Sequence, residues 1–383
     1  MTILGPNGQK ISPESTNAEM INSSPSEAFM GATAADIKAM PAEAMGGMRA
    51  EHMNYMNHES MSGIRSEQIR EMPPEAMQGM NAPMMREMPP EAMSGCTAGD
   101  MQQMPPPCMG GCNSGHITHM PPEAMGGMDA QMMQMMPPGC MEGMSPEMMQ
   151  MIPPEAMGGM DAPMMEMMPP EAMQGVTADM VGMMPPEAMM GITADMVQMV
   201  PPEAMEGMSA QMVEMMPPEA MAGVSPEMMA KMPPEAMQGM DADMMANVPP
   251  EAMAGMDADM MANMPPEAMA GISPQMVGNI PPEVMSGMSP EMMQNMPPEA
   301  QDIVSEASDG GLGALDEALK SPLTDGEPLS MGSSADALDS ALSAGQVQGG
   351  AGVSNDDATT TGAEAVETDD DKGSTEDDSS SLA

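Results

Sequence analysis

The chain has no tryptophan, and only one phenylalanine and one tyrosine among its 383 residues. A globular core of this size normally relies on aromatic and branched aliphatic side chains, so an ordinary core is excluded. Leucine is also missing from residues 25–304, all nine lying outside that span. Positive charge is scarce: nine Lys and Arg face 58 Asp and Glu, for a formal net charge of −49. Neutralising phosphates requires a cationic face, so nucleic acid is excluded as a partner and an anionic membrane surface is disfavoured. No run of 18 apolar residues occurs, and "MTILGPNGQKISPES" lacks a charged segment followed by an apolar one. Neither a membrane span nor a signal peptide is therefore expected. Four cysteines in this length do not make a disulfide framework.

What the chain does have is 71 Met, 43 Pro and 39 Gly, arranged with a period of 16. The pattern P-P-E-A-M-x-G-M-[DSTN]-A-x-M-M-x-x-M runs from Pro25 to Met296 without insertion or deletion, giving seventeen copies. A half copy, "PPEAQDIV", follows at 297–304, and "NAEMINSS" at 17–24 reads as a degraded second half. Position 1 is Pro in 16 of the 17 copies, which opens a helix and bars the preceding residue from helical geometry. Position 7 is Gly in all seventeen, from Gly31 to Gly287, and the expected reason is a left-handed cap. Position 9 is Asp, Ser, Thr or Asn in 15 of 17, the residues that cap a second helix.

Each copy thus reads as two short helices, with apolar residues at positions 5, 8, 12, 13 and 16. Neither helix is long enough to persist alone in water, but stacked copies bury a continuous seam. The expected fold is all-α, a solenoid of short helix pairs with one pair in each 16-residue repeat. An N-terminal segment with a hairpin around Pro6-Asn7-Gly8 spans 1–24, the array spans 25–304, and an acidic low-complexity tail, mostly disordered, spans 305–383.

Most methionines occupy columns that a leucine would fill, so their first role is core packing. Position 15 is different, since it accepts Glu, Lys and Asn elsewhere in the array. Met135, Met151, Met167, Met183, Met199 and Met215 fill it in six consecutive copies, with His119 at the head. Stacking copy on copy would make these an exposed thioether ladder suited to Cu(I), although local copying of one repeat also accounts for them. A second anomaly is the run from Cys96 through Cys108, Cys112, His116 and His119, joined by Cys140. Cys96 and Cys112 share position 8 in successive copies, so stacking would bring them together, while Cys108 and Cys140 share position 4 two copies apart. Cu(I) or Zn(II) is the ion these ligands would take, but the spacing matches no standard zinc site, and small buried thiols account for them as well. No catalytic set or phosphate-binding loop occurs, and no resident cofactor is expected.

The copies "PSEAFMGATAADIKAM" (25–40) and "SGIRSEQIREMPPEAM" (62–77) resemble tandem arrays of the PPEAF-G-[ST]-x-EQ type in bacterial, cyanobacterial and phage-encoded proteins. The likeness covers about three quarters of the chain and implies a short-helix solenoid in a non-enzymatic protein. The departure is that Met replaces the usual Leu, Ile, Val and Phe. The start "MTILGPNGQ" is similar to those of virion-associated proteins, and with neither a signal peptide nor a membrane span expected, the sequence leaves the location open between cytoplasmic and virion-associated. The sequence therefore reads as a structural scaffold or interaction module with protein partners or self-association. Soft-metal sequestration and a methionine oxidant sink are the alternatives.

Overall fold

A computed structural model of the chain describes residues 3–285 and 287–308. The acidic tail expected to be disordered lies outside the described residues from 309 onward.

The chain opens with a two-stranded antiparallel hairpin in which Ile3 pairs with Ile11 and Leu4 with Lys10. Gly8 closes the turn at φ 72°, a left-handed conformation that only glycine adopts cheaply. Ile3 is buried against the turn Ser26–Phe29. The degraded half copy forms the helix Ala18–Asn22, capped by the Asn17 side chain at 2.9 Å from the Met20 amide.

From there to Gly271 the array alternates two kinds of element. The first half of a copy is a 3₁₀ helix, such as Pro74–Gly79, and the second a single α-helical segment, such as Ala82–Glu87. The carbonyl of Pro73 accepts the Ala76 amide at 2.9 Å, and that of Met77 accepts the Met80 amide at 2.9 Å. A 3₁₀ helix has three residues per turn, so side chains three apart eclipse one another. Positions 5 and 8 therefore form one line, which carries the large core residues. Positions 4 and 7 form another, which carries Ala and Gly. The α segments are capped as their sequence requires: Asp161 Oδ1 accepts the Met164 amide at 2.9 Å and Asp129 Oδ1 accepts that of Met132 at 2.7 Å.

The stacking does not follow the sequence period. Helix Ala50–Tyr55 packs against Ser26–Phe29 on one side and Pro74–Gly79 on the other, elements that begin one and a half copies before and after it. The same offset recurs along the array, for example between Ser114–His119 and both Pro90–Gly95 and Pro138–Gly143. With two elements per copy, a partner one and a half copies away is the third element along. A layer of the solenoid thus holds three short helices. On each of its three sides, 3₁₀ and α elements alternate from layer to layer.

The core runs through the whole array as one cluster. Met77, Met80, Met84, Met85 and Met88 are all buried, and they represent the five columns expected to be apolar. Position 4 is a sixth buried column, with Ala76, Ala156 and Ala236 fully covered. A 3₁₀ helix lying on an α-helix leaves grooves of uneven width. An unbranched thioether with three rotatable bonds fills such gaps more readily than leucine.

The position-7 glycines are not left-handed caps, for among the described residues Gly8 alone has a positive φ. Close approach requires them instead. A Cβ on Gly159 would land on the carbonyl oxygen of Ala130 in the adjoining layer and lie 2.8 Å from the Met133 Cβ. The backbones of neighbouring layers touch there, and no side chain fits between them.

Candidate functional site

Two features of the array are not absorbed by packing, namely the edges where position 15 emerges and the cysteine–histidine cluster.

On the edges, side chains at position 6 meet those at position 15 of the next copy. Gln78 Nε2 donates to Gln103 Oε1 at 2.6 Å, and Gln238 Nε2 donates to Asn263 Oδ1 at 3.0 Å. Lys231 Nζ pairs with Glu206 at 3.1 Å, and Gln174 Nε2 donates to the Met199 sulfur at 3.4 Å. In these four pairs the partners are matched: Gln faces Gln, Asn or a thioether acceptor, and Lys231 faces a carboxylate.

This register divides the expected methionine ladder. Successive position-15 residues are one copy apart, which is two thirds of a layer, and so fall on different sides. Met135, Met151 and Met183 lie beside Gly110, Gly126 and Gly158, whose added Cβ atoms would be 3.8, 3.7 and 3.8 Å from the respective methionine carbonyls. Met167 occupies the position opposite Glu142, and Met199 bonds Gln174. Of the six, only Met215 has another thioether in the paired position, Met190, and both are exposed, at 39% and 58%. His119, exposed, donates from Nδ1 to the Gly115 carbonyl within its own helix at 2.9 Å.

His116 is buried and both of its ring nitrogens are engaged. Nδ1 accepts the Asn113 amide at 3.2 Å, which leaves the proton on Nε2, and Nε2 donates to the Met88 carbonyl at 2.8 Å. A metal would have to displace one of these bonds. Gln68 makes the same two links, accepting from the Arg65 amide at 3.0 Å and donating to the Met40 carbonyl at 3.0 Å. His52 also makes them, from the Arg49 amide at 3.2 Å and to the Ser24 carbonyl at 3.3 Å. Position 12 in these early copies is therefore a polar tie between layers. From Met132 onward a methionine takes its place.

All four cysteines are free and buried. Within the three-helix layers, Cys140 is the side chain that acts most strongly on the Cys112 thiol. Cys108 lies within electrostatic range of both Cys96 and Cys112. Burial pushes the Cys96 and Cys108 thiols up to about 12, with Asp100 and Cys108 adding to the effect at Cys96. The Cys112 thiol is raised by Cys140 and then by burial. These are neutral thiols, unlike the activated thiolates of reactive sites. Among the described residues no group of three or more His, Cys, Asp and Glu converges on a position that could hold a metal ion.

No family model, curated protein or solved structure matches the chain.

Open grooves recur between layers. One of about 400 Å³ is lined by Gln174, Thr177, Glu203 and Glu206, and its counterpart near the N-terminus is lined by Thr33, Asn57, Glu59 and Ser62. Each follows from the repeat and is not specific to one copy. No described helix is long and apolar enough to cross a membrane. Reading by columns missed the position-12 ties and the pairing of positions 6 and 15. The first had a signal, since Asp100 and His116 stand three residues after the caps Thr97 and Asn113, which is capping-box spacing. The second had none, because it depends on how many helices complete a layer.

Proposed function

We infer that the protein is a non-enzymatic scaffold, a regular solenoid that holds other molecules at fixed spacing along its edges. The observation that carries this reading is the contrast between columns. Positions 5 and 7 are Met and Gly throughout the later copies, whereas the residues facing each other at positions 6 and 15 differ along the array, as in Gln174–Met199, Glu206–Lys231 and Gln238–Asn263. An invariant core with changing edges suits a body that presents different contacts at set intervals. The acidic surface favours partners with basic faces and disfavours self-association through the edges.

A photo-reactive residue placed at Met151, Met190 or Asn263 in the native host tests the reading. Discrete protein adducts from edge positions are expected, each with its own partner or segment of a partner. If the edge sites gave no adducts while the protein remained folded, the scaffold reading would be lost.

A second reading, soft-metal binding, is favoured by the placement of two exposed methionines, Met190 and Met215, at paired positions 6 and 15. Two exposed thioethers at paired positions give Cu(I) a bidentate site. In a Cu(I) titration their methyl resonances should shift before those of Met135, Met151 and Met183, which face glycine. Simultaneous shifts of all five would remove this reading.

A further inference from the structure

Cys112 and Cys140 stand at equivalent ends of a repeated contact. Cys112 follows the 3₁₀ helix Pro106–Gly111 at position 8, and Cys140 lies inside Pro138–Gly143 at position 4. The second of these helices rests on Ser114–His119, and the approach is close, since a Cβ on Gly143 would lie 3.0 Å from the Ile117 Cβ. The sequence separation of the two cysteines is the same as the one that brings His116 to Met88. In other copies the same two places hold a large residue and a small one, as Met128 and Ala156 or Ile64 and Ala92. Only here are both places filled by cysteine, which sets two thiols at the layer boundary where Pro138–Gly143 packs on Ser114–His119. Both are buried among apolar side chains, where a charged product is disfavoured and a neutral one is not.

We propose that Cys112 and Cys140 are a modification site, a thiol pair that closes to an interlayer disulfide under an oxidising small-molecule disulfide. The exchange is balanced: two protein thiols and one molecule of oxidised glutathione give one protein disulfide and two molecules of reduced glutathione. In the first step a Cys112 thiolate attacks a glutathione sulfur, forming a mixed disulfide and releasing one glutathione thiolate, which takes up a proton. In the second, a Cys140 thiolate attacks the Cys112 sulfur, forming the protein S–S bond and releasing the second glutathione. Cys112 reacts first because it is 6% exposed whereas Cys140 is 0% exposed. Layers in a solenoid contact only their neighbours and can separate one at a time. A covalent link across one boundary would fix the register of the layers it joins and hold that part of the array closed. The inference does not depend on what the edges bind.

The full chain incubated with oxidised glutathione, then digested and mapped by mass spectrometry, provides the test. The expected product links the peptide containing Cys112 to that containing Cys140, leaves Cys96 and Cys108 as thiols, and raises the thermal midpoint by roughly 5 °C. Formation should be slow at neutral pH and faster at pH 9, because the attacking thiols are buried. Cys140→Ala and Cys112→Met restore the residues that other copies carry, so both variants keep the fold. Each should abolish the link, while Cys96→Met should leave it unchanged. A Cys108–Cys112 link, a stable glutathione adduct on Cys112, or four free thiols after incubation at pH 9 would each overturn the proposal.

Discussion

His116 donates from Nε2 to the carbonyl oxygen of Met88, in the layer before it, at 2.8 Å, while its Nδ1 accepts the amide of its own helix cap. Gln68 and His52 occupy the same column and make corresponding bonds. Asp100 occupies it too, but an ionised carboxylate has no proton to donate. Its Oδ2 accepts from the Thr97 amide and hydroxyl, both at 2.8 Å, while Oδ1 is buried with no hydrogen-bond partner. Burial raises its pKa above the ordinary carboxylate value, partly offset by the bonds from Thr97.

The sign of the resulting pH dependence follows from linkage. With the folded pKa above the unfolded one, the contribution of Asp100 is fully present below the unfolded value. It is lost as pH rises through the folded value. Asp100→Asn supplies a permanent N–H donor and keeps the acceptor for Thr97. We expect the variant to be more stable than the parent at pH 7 by about 1 kcal/mol, with the difference vanishing at low pH. Urea unfolding between pH 3 and pH 8 measures this. A pH-independent difference would mean that Asp100 titrates normally.

Neighbouring glycines should respond in opposite ways. Gly159→Ala places a methyl group against the Ala130 carbonyl and should cost about 3 kcal/mol or prevent the layers from closing. A Cβ on Gly158 would lie 3.8 Å from the Met183 carbonyl and 3.9 Å from the Ala130 Cβ, an ordinary contact. Gly158→Ala should therefore stay within about 0.5 kcal/mol of the parent or stabilise it. Thermal unfolding of the two variants separates close approach from backbone flexibility as the reason for the regular glycine spacing.

Core truncation should be costly even though the core is thioether. Met157 and Met173 are buried at position 5, and Met157→Ala should destabilise its part of the array by about 2–5 kcal/mol. Met157→Leu, which nearly conserves volume, should cost less than about 1.5 kcal/mol. Hydrogen exchange resolved by peptide shows whether the loss is confined to adjacent layers, as nearest-neighbour stacking requires.

Deletions distinguish the sequence repeat from the structural layer. Removing one copy takes out two thirds of a layer and moves every later edge residue to another side of the solenoid. Removing three copies takes out two whole layers and leaves the downstream sides in place. Both variants should fold, because the local stacking contacts are the same. Two cysteines introduced on one side, three layers apart in the parent, become neighbours after the three-copy deletion. Disulfide trapping between them should succeed in that variant and fail after the one-copy deletion. Equal trapping would contradict a layer of three helices.

The exposed pair Lys231–Glu206 should matter little to folding. Both side chains are about half exposed, and Lys231→Gln should change stability by less than about 1 kcal/mol. Urea unfolding of the variant beside the parent checks this.

The sequence by itself determined the unit: Pro starts one helix, an Asp, Ser, Thr or Asn cap starts the next, and five columns are apolar. These are local signals, acting within a few residues along the chain, and Met77, Met80, Met84, Met85 and Met88 are buried where the period placed them. Only the tertiary structure decided which copies touch. Whether two, three or four short helices complete a layer depends on the angles at the Gly–Met–Asx and Met–Pro corners, and the sequence period leaves that number open. The choice of three sets Cys112 and Cys140 at one layer boundary, separates Met135 from Met151, places Met215 opposite Met190, and makes the position-7 glycines from Gly47 to Gly271 points of contact between layers.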